Sequence, residues 1–169
     1  MKEIISHISA SVHGEKPDNI PNQDYIQTFE NDTIFIATVS DGLGSSLHSE
    51  KGARFACECV IEIMKNENSE INFKNLSDKI SKQWQQLVER KEGLIKDYRT
   101  TNSFVSVFKN EKAIVIGHLG DVMISIRIDG LFRHFETTQK EFSNETDCLG
   151  SGRSERYKLA RYDFGHSFD

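Results

Sequence analysis

The chain predicts an α+β fold, a sandwich built on antiparallel sheets, and three observations point to it. Strand-like runs come first, two helical stretches follow, and a second series of strand-like runs closes the chain. That order disfavours a doubly wound parallel sheet, in which strands and helices alternate. Short turn pairs, Asn31–Asp32, Asn110–Glu111 and Asp129–Gly130, link successive strand runs as hairpins link antiparallel neighbours. The strand runs also alternate in polarity, as strands do when one face is packed and the other is more open.

Each element has its own warrant. Ile4–Val12 alternates loosely and reads as a first strand, and Gly14–Asn22, which holds both prolines, reads as a loop. Asp24–Glu30 and Thr33–Ser40 read as a hairpin. Leu47–Lys65 places Leu47, Ala53, Ala56, Val60, Ile63 and Met64 near one face of a helix. Leu76–Ile95 is a second helix with Ile80, Trp84, Leu87 and Val88 inward, a cap offered within Asn75–Ser77, and Lys and Glu on a solvated outer face. Asn102–Lys109, Ala113–His118, Val122–Ile128 and Leu131–Glu136 follow as strands suited to a meander. Ile34–Val39, Phe104–Phe108, Ile114–Ile116 and Val122–Ile128 are expected side by side in the sandwich. Thr137–Arg156 is polar and rich in Gly and Ser and reads as a long loop or flap, and Tyr157–Asp163 reads as one more strand.

Composition narrows the function. At 169 residues the chain suits one domain, 1–169, with a proper core. The net charge of −5, with Lys and Arg scattered and no basic stripe, sets nucleic acid aside. No apolar run approaches the roughly 20 residues of a membrane span, and Met1–Lys2–Glu3 opens no signal peptide. Three cysteines, Cys57, Cys59 and Cys148, have no disulfide spacing, so reduced thiols and a cytoplasmic location are expected.

The most informative stretch is I-F-I-A-T-V-S-D-G-L-G-S-S, residues 34–46. An apolar run ends at Asp41, two closely spaced glycines follow, and a helical pattern starts at once. A carboxylate at the end of a strand, beside a flexible turn, is placed for chemistry; the plainer reading is a chain-reversing Asp-Gly turn. Two further acidic centres at strand edges, Asn22–Asp24 and Gly120–Asp121, favour chemistry. Three aspartates without clustered His or Cys specify a hard-cation oxygen site, Mg²⁺ or Mn²⁺ and not zinc. Gly42, lacking a Cβ, lets its carbonyl approach a cation beside Asp41. Other phosphate chemistries fail: there is no P-loop, no dinucleotide fingerprint after Gly42, and no cysteine-phosphatase loop. The six histidines show no paired spacing and read as surface or core residues.

Four pieces in order then carry a resemblance: S-V-H-G with P-N-Q-D (Ser11–Gly14, Pro21–Asp24), V-S-D-G-L-G-S-S with S-E-K-G-A (Val39–Ala53), R-T-T-N-S-F (Arg99–Phe104) and G-H-L-G-D-V (Gly117–Val122). N-E-T-D at Asn144–Asp147 adds a fifth. The chain resembles the metal-dependent PPM, or type-2C, protein serine/threonine phosphatases of the bacterial kind. The resemblance implies an αββα sandwich of two antiparallel sheets flanked by helices. It also implies hydrolysis of phosphoserine or phosphothreonine on proteins by a metal-bound water. Asp41 would bridge two cations, Mn²⁺ or Mg²⁺, with the Gly42 carbonyl on the second. Asp24 would ligate directly or through water, and Asp121 would match the acidic residue of a third, weaker site. Thr100 and Thr101 match a pair in a supporting strand, although a β-branched strand start explains them as well.

Two departures shape the expectation. No Arg precedes the first acidic motif to hold phosphate, and Lys16 is the nearest cation. The chain stops at Asp169, before the family's second Asp-Gly and its later Asp-Asn, both ligands of the first metal. The expectation is therefore a domain incomplete at its carboxyl end, weak or inactive by itself. Self-association through open sheet edges is expected as well. The rival reading is a non-catalytic, phosphatase-like binding or regulatory module.

Overall fold

The computed structural model describes residues 7–12, 21–128, 130–135, 147–151 and 157–165. Seven strands and two helices follow one another as β1 (Asp24–Glu30), β2 (Ile34–Asp41), α1 (Ser49–Met64), α2 (Phe73–Glu89), a 3-10 turn (Ile95–Tyr98), β3 (Asn102–Phe108), β4 (Ala113–Leu119), β5 (Ile124–Ile128), β6 (Leu131–Phe135) and β7 (Lys158–Asp163). The main sheet has the order β1-β2-β3-β4-β7 with every neighbouring pair antiparallel, and β5-β6 form a second, two-stranded sheet. The α+β class with antiparallel sheets is thus the one the sequence predicts.

The five-stranded sheet has two unlike faces because successive side chains point to opposite sides. Ile34, Ile36, Phe104, Phe108, Ala113, Val115 and Leu119 are buried towards the helices, where they meet Val60, Met64, Leu76, Ile80 and Trp84. On the opposite face, Ile26, Ala37, Val39, Val105 and Ile124 of β5 line a cavity of about 370 Å³. Arg133 of β6 lies over the Tyr162 ring of β7 at 5.3 Å, so the small hairpin covers the face away from the helices. The layers run helices, large sheet, small sheet; the outer helical layer that the αββα expectation adds is not among the described residues.

Several boundaries differ from the sequence reading. Residues 7–12 form no strand, and residues 4–6 lie outside the described set. Ile8 and Val12 are exposed, so their alternation finds no buried surface and no neighbouring ladder to reward it. Helix α2 starts one turn early because the Asn72 side chain accepts from the Asn75 amide at 3.1 Å. It stops at Glu89, not Ile95. Arg90, Lys91 and Glu92 supply no apolar face, and Gly93 has a φ of 107°, which no helix accommodates. The expected neighbourhood of Val122–Ile128 is also corrected. Gly120, with a φ of 109°, turns the chain off the sheet, and β7 takes the place beside β4. The expected flap falls mostly outside the described residues, except 147–151.

Two close approaches fix the helical layer. A Cβ at Gly52 would stand 1.8 Å from the Tyr98 carbonyl oxygen, and the Gly52 carbonyl accepts the Trp84 indole N–H at 3.0 Å. Beneath α1, the buried Asn102 amide donates to Thr38 Oγ1 (3.1 Å) and Ser40 Oγ (2.9 Å), and Tyr157 donates to Asn102 Oδ1. The Cys57 thiol donates to Ser40 Oγ at 3.4 Å, and burial raises its pKa to about 11. Among the described residues no helix is long and apolar enough to cross a membrane.

Two outcomes follow from these contacts. Gly52→Ala would gain about 1 kcal/mol of helix propensity, but the overlap with the Tyr98 carbonyl is of the kind that costs roughly 1–3 kcal/mol or more. Urea denaturation should therefore show net destabilisation, where a helix-propensity effect alone would stabilise. The Cys57 proton is held above the ordinary thiol value of 9.0, so between pH 9 and about 11 the unfolded chain releases a proton that the native chain keeps. Its contribution is complete below pH 9 and is lost as pH rises, with a slope of up to about 1.4 kcal/mol per unit. The urea midpoint of the native chain should fall across that window more steeply than that of Cys57→Ser.

Candidate metal centre

The acidic residues singled out by the sequence meet at one end of the main sheet. Asp24 opens β1, Asp41 closes β2, and the two are directly opposed in the ladder. Opposed residues share a face, so both carboxylates leave the sheet on the side away from the helices. Asp121 follows β4 at the same end, two residues beyond Leu119, whose ladder partner is Asn102 at the start of β3. Gly120 brings this turn against Thr101: a Cβ there would be 2.5 Å from Thr101 Cγ2. Asp24, Asp41 and Asp121 are exposed.

The backbone around Asp41 is held from several directions. The Asp41 carbonyl accepts the Thr101 amide at 2.8 Å and the Thr100 hydroxyl at 2.9 Å, while the Asp41 amide donates to Thr101 Oγ1 at 3.0 Å. The next amides are also taken, Gly42 by the Gln23 carbonyl and Leu43 by the Arg99 carbonyl, each at 3.0 Å. Gln23 Nε2 donates to Ser49 Oγ at 2.7 Å, tying N-Q-D to the first residue of α1. Gly42 is required here: a Cβ would lie 2.7 Å from Ser49 atoms. The threonine pair that reads in sequence as a strand start is therefore the frame on which Asp41 is mounted.

One contributor was visible in the sequence only as part of a motif. The segment 147–151 returns to this end, with the Leu149 amide on the Thr100 carbonyl at 2.9 Å and the Asp147 carbonyl oxygen 3.0 Å from a Cβ built on Gly120. Asp147 thus joins the same sheet end from far along the chain.

The arrangement has definite limits. Among the described residues no group of three or more His, Cys, Asp or Glu side chains is close enough to hold a metal ion together. The structure opposes Asp24 with Asp41 and puts Asp121 at the same end without closing the three into one cluster. Lys16, the candidate phosphate cation, lies outside the described residues. Arg99 is turned to the loop before α1, its guanidinium on Ser45 Oγ and Ser46 Oγ at 3.4 Å each. Thiol chemistry is disfavoured: burial raises Cys57 to about 11 and Cys59 to about 12, so neither carries thiolate near neutrality.

The frame predicts its own disruption. Thr101→Val keeps the shape but leaves the Asp41 amide without its side-chain acceptor, at a cost of about 1–3 kcal/mol. Urea unfolding should register that loss, and Thr101→Ser should restore most of it.

Comparison with known proteins adds the relationship. The sequence model of one family, protein phosphatase 2C, matches residues 15–162. No curated protein matches the sequence. Among solved structures, RsbX in complex with magnesium is similar with a TM-score of 0.60 at 17% identity, over 89% of this chain and 64% of that one. The serine/threonine phosphatase Stp1 from Staphylococcus aureus gives 0.59 at 17%, over 88% and 67%. The phosphatase domain of SpoIIE from Bacillus subtilis, with a fragment of its regulatory domain, gives 0.55 at 12%, over 85% and 38%. The chain therefore spans a little under two thirds of RsbX while most of its own length takes part in the likeness. A match over residues 15–162 settles the relationship: this chain belongs to the protein phosphatase 2C family.

Proposed function

We propose that the aspartate end of the sheet is a metal-dependent protein serine/threonine phosphatase centre. The observation that carries this reading is the opposition of Asp24 and Asp41 on adjacent strands, with Gly120–Asp121 at the same end. The donor chemistry fits hard cations: every candidate ligand is an oxygen, and the Gly42 position has no Cβ. Asp41, the Gly42 carbonyl, Asp24 and Asp121 would hold Mg²⁺ or Mn²⁺. Such ions, when bound, supply a water of lowered pKa and neutralise phosphoryl charge.

The protein's own part is positional. Thr100 and Thr101 fix the Asp41 backbone, Gln23 couples Asp24 to α1, and the pleat sends both carboxylates to one face. A constellation fixed before the reaction reduces the entropic cost of aligning attacker and phosphorus. The substrate class is phosphoserine or phosphothreonine in proteins, in the cytoplasm. One observation favours a second reading, a phosphatase-like module that binds without turnover: no three-donor group assembles among the described residues.

Calorimetry and turnover separate these readings. Mn²⁺ should bind the 169-residue chain and lose binding at least tenfold in Asp41→Asn. Mn²⁺-dependent hydrolysis of a phosphothreonine peptide should disappear with it. Equal Mn²⁺ affinity in Asp41→Asn overturns the site, and metal-independent peptide binding without hydrolysis selects the binding module.

A further inference from the structure

We infer that Asn22 is a positioning residue for the metal centre: its carboxamide pins the Asp24 backbone against the repulsion of Asp41 and is itself anchored by Ser11. This role rests on the reading of the aspartate end as a metal centre, and it gives Ser11 and Asn22 of the S-V-H-G and P-N-Q-D pieces a part beside Asp24. The need for it comes from the ladder. Gly42 N–H donates to the Gln23 carbonyl and Asn31 N–H to the Ile34 carbonyl, each at 3.0 Å. Hydrogen-bonded pairs alternate along an antiparallel ladder, so the odd-numbered residues of β1 bond β2 and Asp24 with Asp41 forms a non-hydrogen-bonded pair. Such pairs bring their Cα atoms to about 4.5 Å and their side chains close together. Like charges placed that way repel.

Each aspartate meets that repulsion with a side-chain oxygen bonded to its backbone N–H. Asp41 has β3 beside it, and its amide donates to Thr101 Oγ1 at 3.0 Å. Asp24 opens the edge strand β1, which among the described residues pairs with β2 alone, so the Asp24 amide points away from the ladder. That amide donates to Asn22 Oδ1 at 3.1 Å. A backbone N–H can only donate, so the carboxamide oxygen faces Asp24 and the NH2 group is turned the other way. There Nδ2 donates to Ser11 Oγ at 2.8 Å. One side chain thus joins the start of the edge strand to a segment eleven residues earlier in the chain.

Ser11 is a held support because its segment is tied at both ends. The His7 ring lies 5.4 Å from the Phe35 ring, and its Nε2 is 3.4 Å from Thr28 Oγ1, near the far end of the β1-β2 hairpin. Ser11 meets Asn22 at the aspartate end. A carboxylate goes where its backbone goes. With the Asn22 bond removed, Asp24 is free to yield to Asp41 by moving outward, because no strand flanks β1 on that side among the described residues. A cation between the two carboxylates would then find one of them displaced, and groups that orient ligands in this way matter to affinity nearly as the ligands do.

Calorimetry with Mn²⁺ tests the role. Asn22→Ala should bind Mn²⁺ about tenfold more weakly than the native chain. Its urea midpoint should stay close to native, because both Asn22 bonds are at the surface. Asn22→Ser, whose hydroxyl can accept the same amide, should recover part of the affinity, and Ser11→Ala should lose part of it. In an Asp24→Asn background, Asn22→Ala should cost nothing further, because its effect runs through the Asp24 carboxylate. Without metal, the Asp24 amide should exchange with solvent several-fold faster in Asn22→Ala. Native Mn²⁺ affinity in Asn22→Ala, alongside lost binding in Asp41→Asn, overturns this role alone, whereas native affinity in Asp41→Asn overturns the metal reading with it. A lowered urea midpoint with unchanged Mn²⁺ affinity, or an unchanged Asp24 exchange rate, also overturns the role.

Discussion

The short span where β2 ends and β3 begins holds the rest of this structure in place. Asp41 and Gly42 are bonded by Gln23 on one side and by Thr100 and Thr101 on the other, through backbone groups and two hydroxyls. Ser49 fits against the bare Cα of Gly42, so the same span also fixes where α1 begins. Loosening it would free three things together: the hairpin register, the entry of the first helix and the aim of the Asp41 carboxylate. Hydrogen bonds of this kind are individually modest, but each has a buried or partly buried partner that would be left unpaired.

The two faces of the main sheet divide the labour. The helix side combines a large apolar cluster with a connected set of polar groups, Thr38, Ser40, Asn102, Cys57 and Tyr157. Those groups bond one another and so lock β2 to β3 and both to α1, while Ser106 Oγ on the same face is buried without a partner. The opposite face is shallower, covered in part by β5-β6 and by residues 7–10, and it is the face from which Asp24 and Asp41 project. Rigidity on one side thus leaves the other side open to solvent at the aspartate end.

Membership in the protein phosphatase 2C family and the likeness to RsbX and Stp1 agree with this division, since the match runs through every element that builds the aspartate end. At 17% identity the solved structures speak to fold alone. What the chain does with its carboxylates rests on their local geometry: two opposed on adjacent strands, a third on the next turn, and Asp147 arriving beside it.

The sequence by itself determined the hairpin of β1 and β2, both helices, the β3–β4 pair and the strand-end location of Asp24, Asp41 and Asp121. These follow from short-range signals, namely apolar periodicity, Asn and Gly at turns, and a charge that terminates an apolar run. Tertiary structure decided what depended on partners distant in the chain. Residues 7–12 alternate like a strand, but they join no ladder and stay exposed, with residues 7–10 only bordering the open face of the sheet. Strand β5 left the main sheet because Gly120 adopts a backbone conformation that local polarity does not encode, and β7 filled the vacancy. Thr100 and Thr101 became supports for Asp41 only because β3 starts beside the end of β2, about sixty residues apart in sequence. Side-chain periodicity reports which face a residue takes; which element meets that face is settled when the layers close and most buried polar groups meet partners distant in the chain.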